Sequence, residues 1–280
     1  MNRTFTHQRP DLGVQKCRLG LYAKLHARQP TLARWGSLFG ALAVPTLLLS
    51  LIDHRQVLGV NTWIKPAKFF VSLAIYFFTL AWAFAFITPA RREGRSARYV
   101  VRAAIATGVI EQSIITVRAA LGQQSHFNVA TFFDAFWYDV MAVAALFLVS
   151  SAVVLGVMVR RSQVLHGARL VGWSAGLLIG GIFGGLTGSI LGRGPTHFVG
   201  GPSTERMNVP FLGWSTTVGD LRIAHFFALH SMFVLPVIGA LAYRRWGSAR
   251  RGTVVTLVAT IGWTIIVLGT LVNALAGKGI

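Results

Sequence analysis

The chain has 280 residues, of which 54% are hydrophobic and only 12% charged. A water-soluble domain carries about 25% charged residues, so the composition excludes an ordinary soluble fold. A formal net charge of +19 would suit a nucleic-acid binder, but the way that charge is spread along the chain excludes this reading as well.

The first 33 residues read as a basic arm on the cytoplasmic side, and residues 12–25 have the pattern of an amphipathic helix lying on the membrane surface. The arm holds the single cysteine, Cys17, so the chain has no intrachain disulfide. Residues 34–280 read as one membrane domain. An apolar run of about 20 residues crosses a ~30 Å hydrocarbon core. Seven such runs can be drawn, at 35–52, 64–87, 99–121, 136–159, 170–192, 221–243 and 254–276. Runs of this length satisfy their backbone hydrogen bonds as helices. The expected fold is therefore an all-α integral membrane protein, a single bundle of about seven transmembrane helices. Ala41 and Ala43 lie inside the first run rather than after it, which reads as an uncleaved first helix.

Lysine and arginine alternate in density between successive connections. Seven lie in the arm, up to Arg34. Five follow the second run (Arg91, Arg92, Arg95, Arg98, Arg102), three the fourth (Arg160, Arg161, Arg169) and four the sixth (Arg244, Arg245, Arg250, Arg251). Only Asp11 and Glu93 accompany them, whereas six of the eight acids fall on the opposite side. The positive-inside rule then puts the N-terminus in the cytoplasm and the C-terminus outside. This describes a multi-pass protein of a bacterial inner (plasma) membrane, with the lipid bilayer as partner and no nucleic acid.

The third run carries Glu111 about ten residues, or ~15 Å, below its outer end, with Arg118 above it on nearly the same face. A longer connection follows, containing Ser125, His126 and Asn128, and the fourth run opens with Asp134, Tyr138 and Asp139. In the fifth, Gly172, Gly176, Gly180, Gly184, Gly188 and Gly192 recur every four residues, with Gly181 and Gly185 beside them. Small residues at this spacing admit a neighbouring helix, a flat ligand or a second copy of the chain. A four-residue repeat drifts about 40° per step, so the stripe should touch more than one partner. The connection 193–220 is rich in Gly and Pro and holds His197 and Arg206; loops of that length are often lids. The sixth run begins with Arg222 and carries His225 and His230, the latter ~14 Å deep and level with Glu111.

Ionisable groups inside a bilayer are costly and mark function. Nearly all of them fall in the outer half, which predicts a pocket facing outward, built on Glu111 and His230 as a buried acid–imidazole pair. The inner half offers only Ser, Thr, Gly and Trp, such as Thr79, Trp82, Thr256 and Thr260, and no ladder of titratable groups for an ion path.

Three chemistries fit. In the first, the pocket holds haem b or a metal ion in an oxidoreductase-like role. His225 or His230, with His126 or His197 from a loop, would be ligands; the glycine face would give the slot, and Arg118, Arg222 or Lys68 would hold propionates. His225 and His230 are five apart and cannot share one ion on a regular helix, and no metal-ligand motif is present. In the second, the protein transports or senses a small anionic or lipid-like solute. In the third, it is a cofactor-free enzyme acting on a lipid or quinone-like substrate. Glu111, His230 and Arg118 would then be catalytic, and Lys68, Arg222, Asp139 and Tyr138 would bind the amphipathic or anionic molecule. The seventh run has neither an interior lysine for retinal nor a histidine pair.

Overall fold

A computed structural model describes residues 20–201, 209 and 212–280. Cys17, Arg206 and most of the basic arm lie outside them. Seven helices are long and apolar enough to cross a membrane. They are α2 (Pro30–Ile52), α3 (Ile64–Ala83), α5 (Arg95–Ala120), α6 (Phe132–Ser162), α7 (Gly167–Leu191), α8 (Leu221–Trp246) and α9 (Arg250–Leu275). Two shorter helices, α1 (Leu21–Arg28) and α4 (Pro89–Arg92), lie beside the ends of the long ones. The chain is a multi-pass membrane protein.

Local chemistry sets the boundaries. Pro30 occupies the first turn of α2, where its missing N–H costs nothing, and the Gln29 side chain accepts from Thr31 N. The first transmembrane helix thus begins inside the segment that reads as arm. At the other end of the third span, Gly122 takes a φ of +67° that ends α5 and turns the chain back. Thr131 caps α6 by accepting from Asp134 N, so that helix starts four residues earlier than its apolar run suggests.

Each long helix packs mainly on its sequence neighbours: α2 on α3, α3 on α5, α5 on α6, α6 on α7, and α7 on both α8 and α9. The main core joins α2, α3, α5, α6 and α7 through Leu32, Phe77, Leu80, Phe84, Val100, Leu155 and Leu177, each essentially without exposed surface. Outward-facing side chains such as Leu47, Phe147, Ile182, Val237 and Ile265 remain exposed, as contact with lipid requires.

The glycines of α7 are occupied by the chain itself. A methyl group added at Gly172 would lie 2.5 Å from the Leu235 carbonyl oxygen, and one at Gly176 2.7 Å from that of Ser231. Gly180 and Gly184 meet Met232 and Leu229, also on α8, whereas Gly181 meets Val153 on α6. The stripe brings two helices to van der Waals contact. It leaves no open slot for a planar cofactor and no free glycine face for a second copy.

The two ends of the bundle differ. At one, here the basic end, lie α1, α4 and the α6–α7 and α8–α9 connections with their arginines. At the other, the loop end, two short antiparallel pairs form. Strands β1 (Gln56–Val57) and β2 (Val60–Asn61) join α2 to α3. Strands β3 (Phe198–Val199) and β4 (Gly219–Asp220) bracket the long α7–α8 connection.

Candidate functional site

The loop end is uneven, and this builds the site. Thr62 donates from its hydroxyl to the Ala119 carbonyl (2.8 Å), and Gln112 Nε2 donates to the Pro66 carbonyl (3.2 Å). The first turn of α3 is therefore sunk beside the third span, level with the stretch around Glu111. From its position at the start of a run, Lys65 reads as a rim charge reaching for water. It is instead half-buried, and its charge is the one that acts on Glu111.

Connection 122–131 dips into this hollow. Phe127 adopts a φ of +60°, uncommon for a bulky residue and a local strain that the surrounding packing must hold. The turn carries His126 inward, where Nδ1 lies 3.1 Å from Lys65 Nζ and 3.1 Å from Ser125 Oγ. Since an ammonium only donates, Nδ1 accepts and the imidazole is neutral. Burial, with the Lys65 charge in support, pushes the His126 pKa down to about 3. Phe69 and Tyr138 pack against the ring, with centroids 6.0 and 6.2 Å away. The Tyr138 hydroxyl donates to the Gly192 carbonyl (3.0 Å), which ties this wall to the end of α7.

Glu111 lies at the bottom. Its residue is only 5% exposed, and its side chain makes no hydrogen bond or ion pair with any described residue. A carboxyl so placed is costly without a partner. Its neighbour Gln112 is similar: the Pro66 carbonyl can only accept, which fixes the amide orientation and leaves the buried Oε1 without a donor. Gln112 Oε1 is thus a buried acceptor without a donor among the described residues, next to a Glu111 that also makes no hydrogen bond with them.

The expected pairing of Glu111 with His230 does not form. The third span packs on α3 and α6, while α8 packs on α7 and α9. Equal depth along two helices does not make them neighbours in a bundle wound in sequence order. His230 donates from Nδ1 to the Phe226 carbonyl (2.8 Å) and stacks on the Phe226 ring at 3.7 Å. His225 has a separate environment. The Thr187 hydroxyl gives its proton to the Phe183 carbonyl (2.6 Å) and so accepts from His225 Nδ1 at 3.0 Å.

The cations expected to bind an anion are already engaged. Arg118 pairs with Asp134 and donates to Gln123 Oε1 (2.6 Å). Arg222 forms a two-point contact with Asp220 and donates to the Gly213 carbonyl. Both arginines brace the loop end. Lys68 and Asp139 are exposed. His197 joins the cap through Phe127, with ring centroids 6.0 Å apart. Among the described residues no three His, Cys, Asp or Glu side chains gather as a metal site. What the structure brings together from the expected set is Glu111, His126 and Tyr138, with Lys65 as the link that depth counting along single helices missed.

Comparison with protein-family models, with curated proteins and with solved structures finds no match for this chain. The class that the fold defines, a seven-helix multi-pass membrane protein, is as far as likeness carries the identification.

Proposed function

We propose that the protein is a cofactor-free membrane enzyme acting on an amphipathic substrate, a lipid or quinone-like molecule, that enters the loop end from the bilayer. The observation that carries this reading is Glu111, 5% exposed and without a hydrogen bond to any described residue, beside a Lys65 that itself donates to the neutral His126. Three titratable groups from two spans and a loop meet in one hollow, where a base, a cation and a proton acceptor are available to a substrate oxygen. Lys65 attracts the negative end of the substrate. Glu111 and His126 exchange a proton with it, each over hydrogen-bonding distance. The concentration of bases at the opposite end supports, by the positive-inside rule, a site on the outer face of a plasma membrane.

A haem or metal centre has less support. The deep histidines stand apart, the glycine slot is filled, and His126 turns to a lysine rather than to a second imidazole. The transporter reading is weakened by the apolar core that closes the middle and basic end of α2–α7.

The test is photo-crosslinking in proteoliposomes with a photoreactive quinone and, separately, a photoreactive phosphatidic acid. Labelled peptides should come from the start of α3, the middle of the third span and connection 122–131. Lys65→Met and Glu111→Gln should each reduce labelling at least tenfold, the loss of about 1.4 kcal/mol of binding. Labels confined to the basic end, or a Soret band in the purified protein that vanishes in His126→Ala, would overturn the proposal.

A further inference from the structure

A second site lies at the basic end, on the opposite face of the membrane from the hollow. Between the end of α8 and the start of α9 runs a groove of about 430 Å³, lined by Trp246, Arg250, Arg251, Val254 and Val255. Its composition is divided along its length. Val254 and Val255 continue along α9 toward the middle of the membrane, whereas Arg250 and Arg251 stand at its mouth, both exposed. Trp246 lines the groove from the end of α8, and the guanidinium of Arg245 stands over its ring at 5.7 Å.

Among the described residues these arginines have no counter-charge. The described ion pairs, Arg55–Asp53, Arg118–Asp134 and Arg222–Asp220, all lie at the loop end. The one described acid on the basic side, Glu93, sits between α4 and α5, and neither packs against α8 or α9. A groove with an apolar floor, an indole at the membrane boundary and cations at its mouth complements a molecule with acyl chains below a phosphate. Tryptophan favours the headgroup level, and basic side chains there bind anionic lipid.

We propose that the α8–α9 groove is a binding site for one anionic phospholipid, its phosphate held by Arg250 and Arg251 and a chain lying along Val254 and Val255. Neither the reaction nor the substrate proposed for the loop end enters this inference.

Native mass spectrometry of the full chain, titrated with phosphatidylglycerol or phosphatidylcholine, provides the test. One tightly held phosphatidylglycerol is expected, with phosphatidylcholine bound at least tenfold more weakly. Removing one arginine should weaken it roughly fivefold, and the double variant Arg250→Gln/Arg251→Gln on the order of 30-fold. The control Arg95→Gln/Arg98→Gln removes the same charge from the same end and should leave the tight lipid in place. Val254→Trp fills the groove without altering charge and should also displace it. Equal losses in both double variants, equal retention of the two lipids, or full retention in Val254→Trp would each overturn the proposal. So would displacement of the lipid by millimolar inorganic phosphate, since that would mean the chains contribute nothing.

Discussion

The two ends of the bundle handle positive charge in opposite ways. At the loop end Arg55, Arg118 and Arg222 each hold a carboxylate. At the basic end no described arginine is ion-paired. Arg28 lies over the Trp82 ring at 3.6 Å, Arg169 over Tyr243 at 4.0 Å, and Arg92 donates to the Ile87 carbonyl. One end is thus cross-braced internally, and the other is left to bind what the membrane surface supplies. Against that braced background Glu111 and Gln112 Oε1, without donors among the described residues, stand out at the proposed site.

Breaking a brace should have the largest effect. Arg118→Ala removes the cation shared by Asp134 and Gln123 and should lower the thermal midpoint well beyond error, whereas Arg250→Ala should change stability by no more than about 0.5 kcal/mol. Unfolding in detergent measures both, and similar losses would erase the contrast between the ends. Next come the glycines. Gly172→Ala forces a methyl against the α8 backbone and should cost about 1–3 kcal/mol. A methyl at Gly262 on α9 meets nothing within 4 Å, so Gly262→Ala should be neutral or stabilising by up to ~1 kcal/mol.

A smaller effect sharpens the loop end. The folded His126 pKa lies near 3 against an ordinary value of 6.5, so between these values the unfolded chain binds more protons than the folded one. Stability from keeping this imidazole neutral is complete above about pH 6.5 and declines as pH falls toward 3. Thermal unfolding from neutral to mildly acid buffer should show a decline that His126→Gln reduces. An identical slope in the variant would place the ring in water. The smallest effect belongs to Asp53. Hydrogen bonds from Arg55 first, and the Trp63 indole second, hold its carboxyl well below the usual range. The pair is exposed, and Asp53→Asn should leave the thermal midpoint at neutral pH unchanged within error.

The spans were legible because membrane crossing demands long apolar runs, and hydropathy alone finds them. The site was legible in part. Glu111 stood out because a carboxyl at that depth has no cheap explanation, and His126 because a loop histidine reaching inward was the missing element of any haem site. Lys65 was misplaced because position in a run was taken as depth, whereas the β1–β2 hairpin lets α3 start below its neighbours. His230 was misassigned because depth matching carries no information about which helices touch. Near the end of α9 the Asn273 amide donates to the carbonyls of Lys278 and Gly279. It is a clasp for the last residues.

That clasp bears on how the molecule is completed. A methyl at Gly200 would fall 2.7 Å from Gly277 Cα, one at Gly219 would run into the Ala274 carbonyl oxygen, and one at Gly279 into that of Thr216. Backbone from the final stretch is thus threaded against the strands that bracket the α7–α8 connection, which in turn touches connection 122–131 through His197 and Phe127. During synthesis this roof stays unfinished until α9 has entered the bilayer. A nascent chain short of residue 274 lacks these backbone contacts, so the loop end is covered only after α9 has been made.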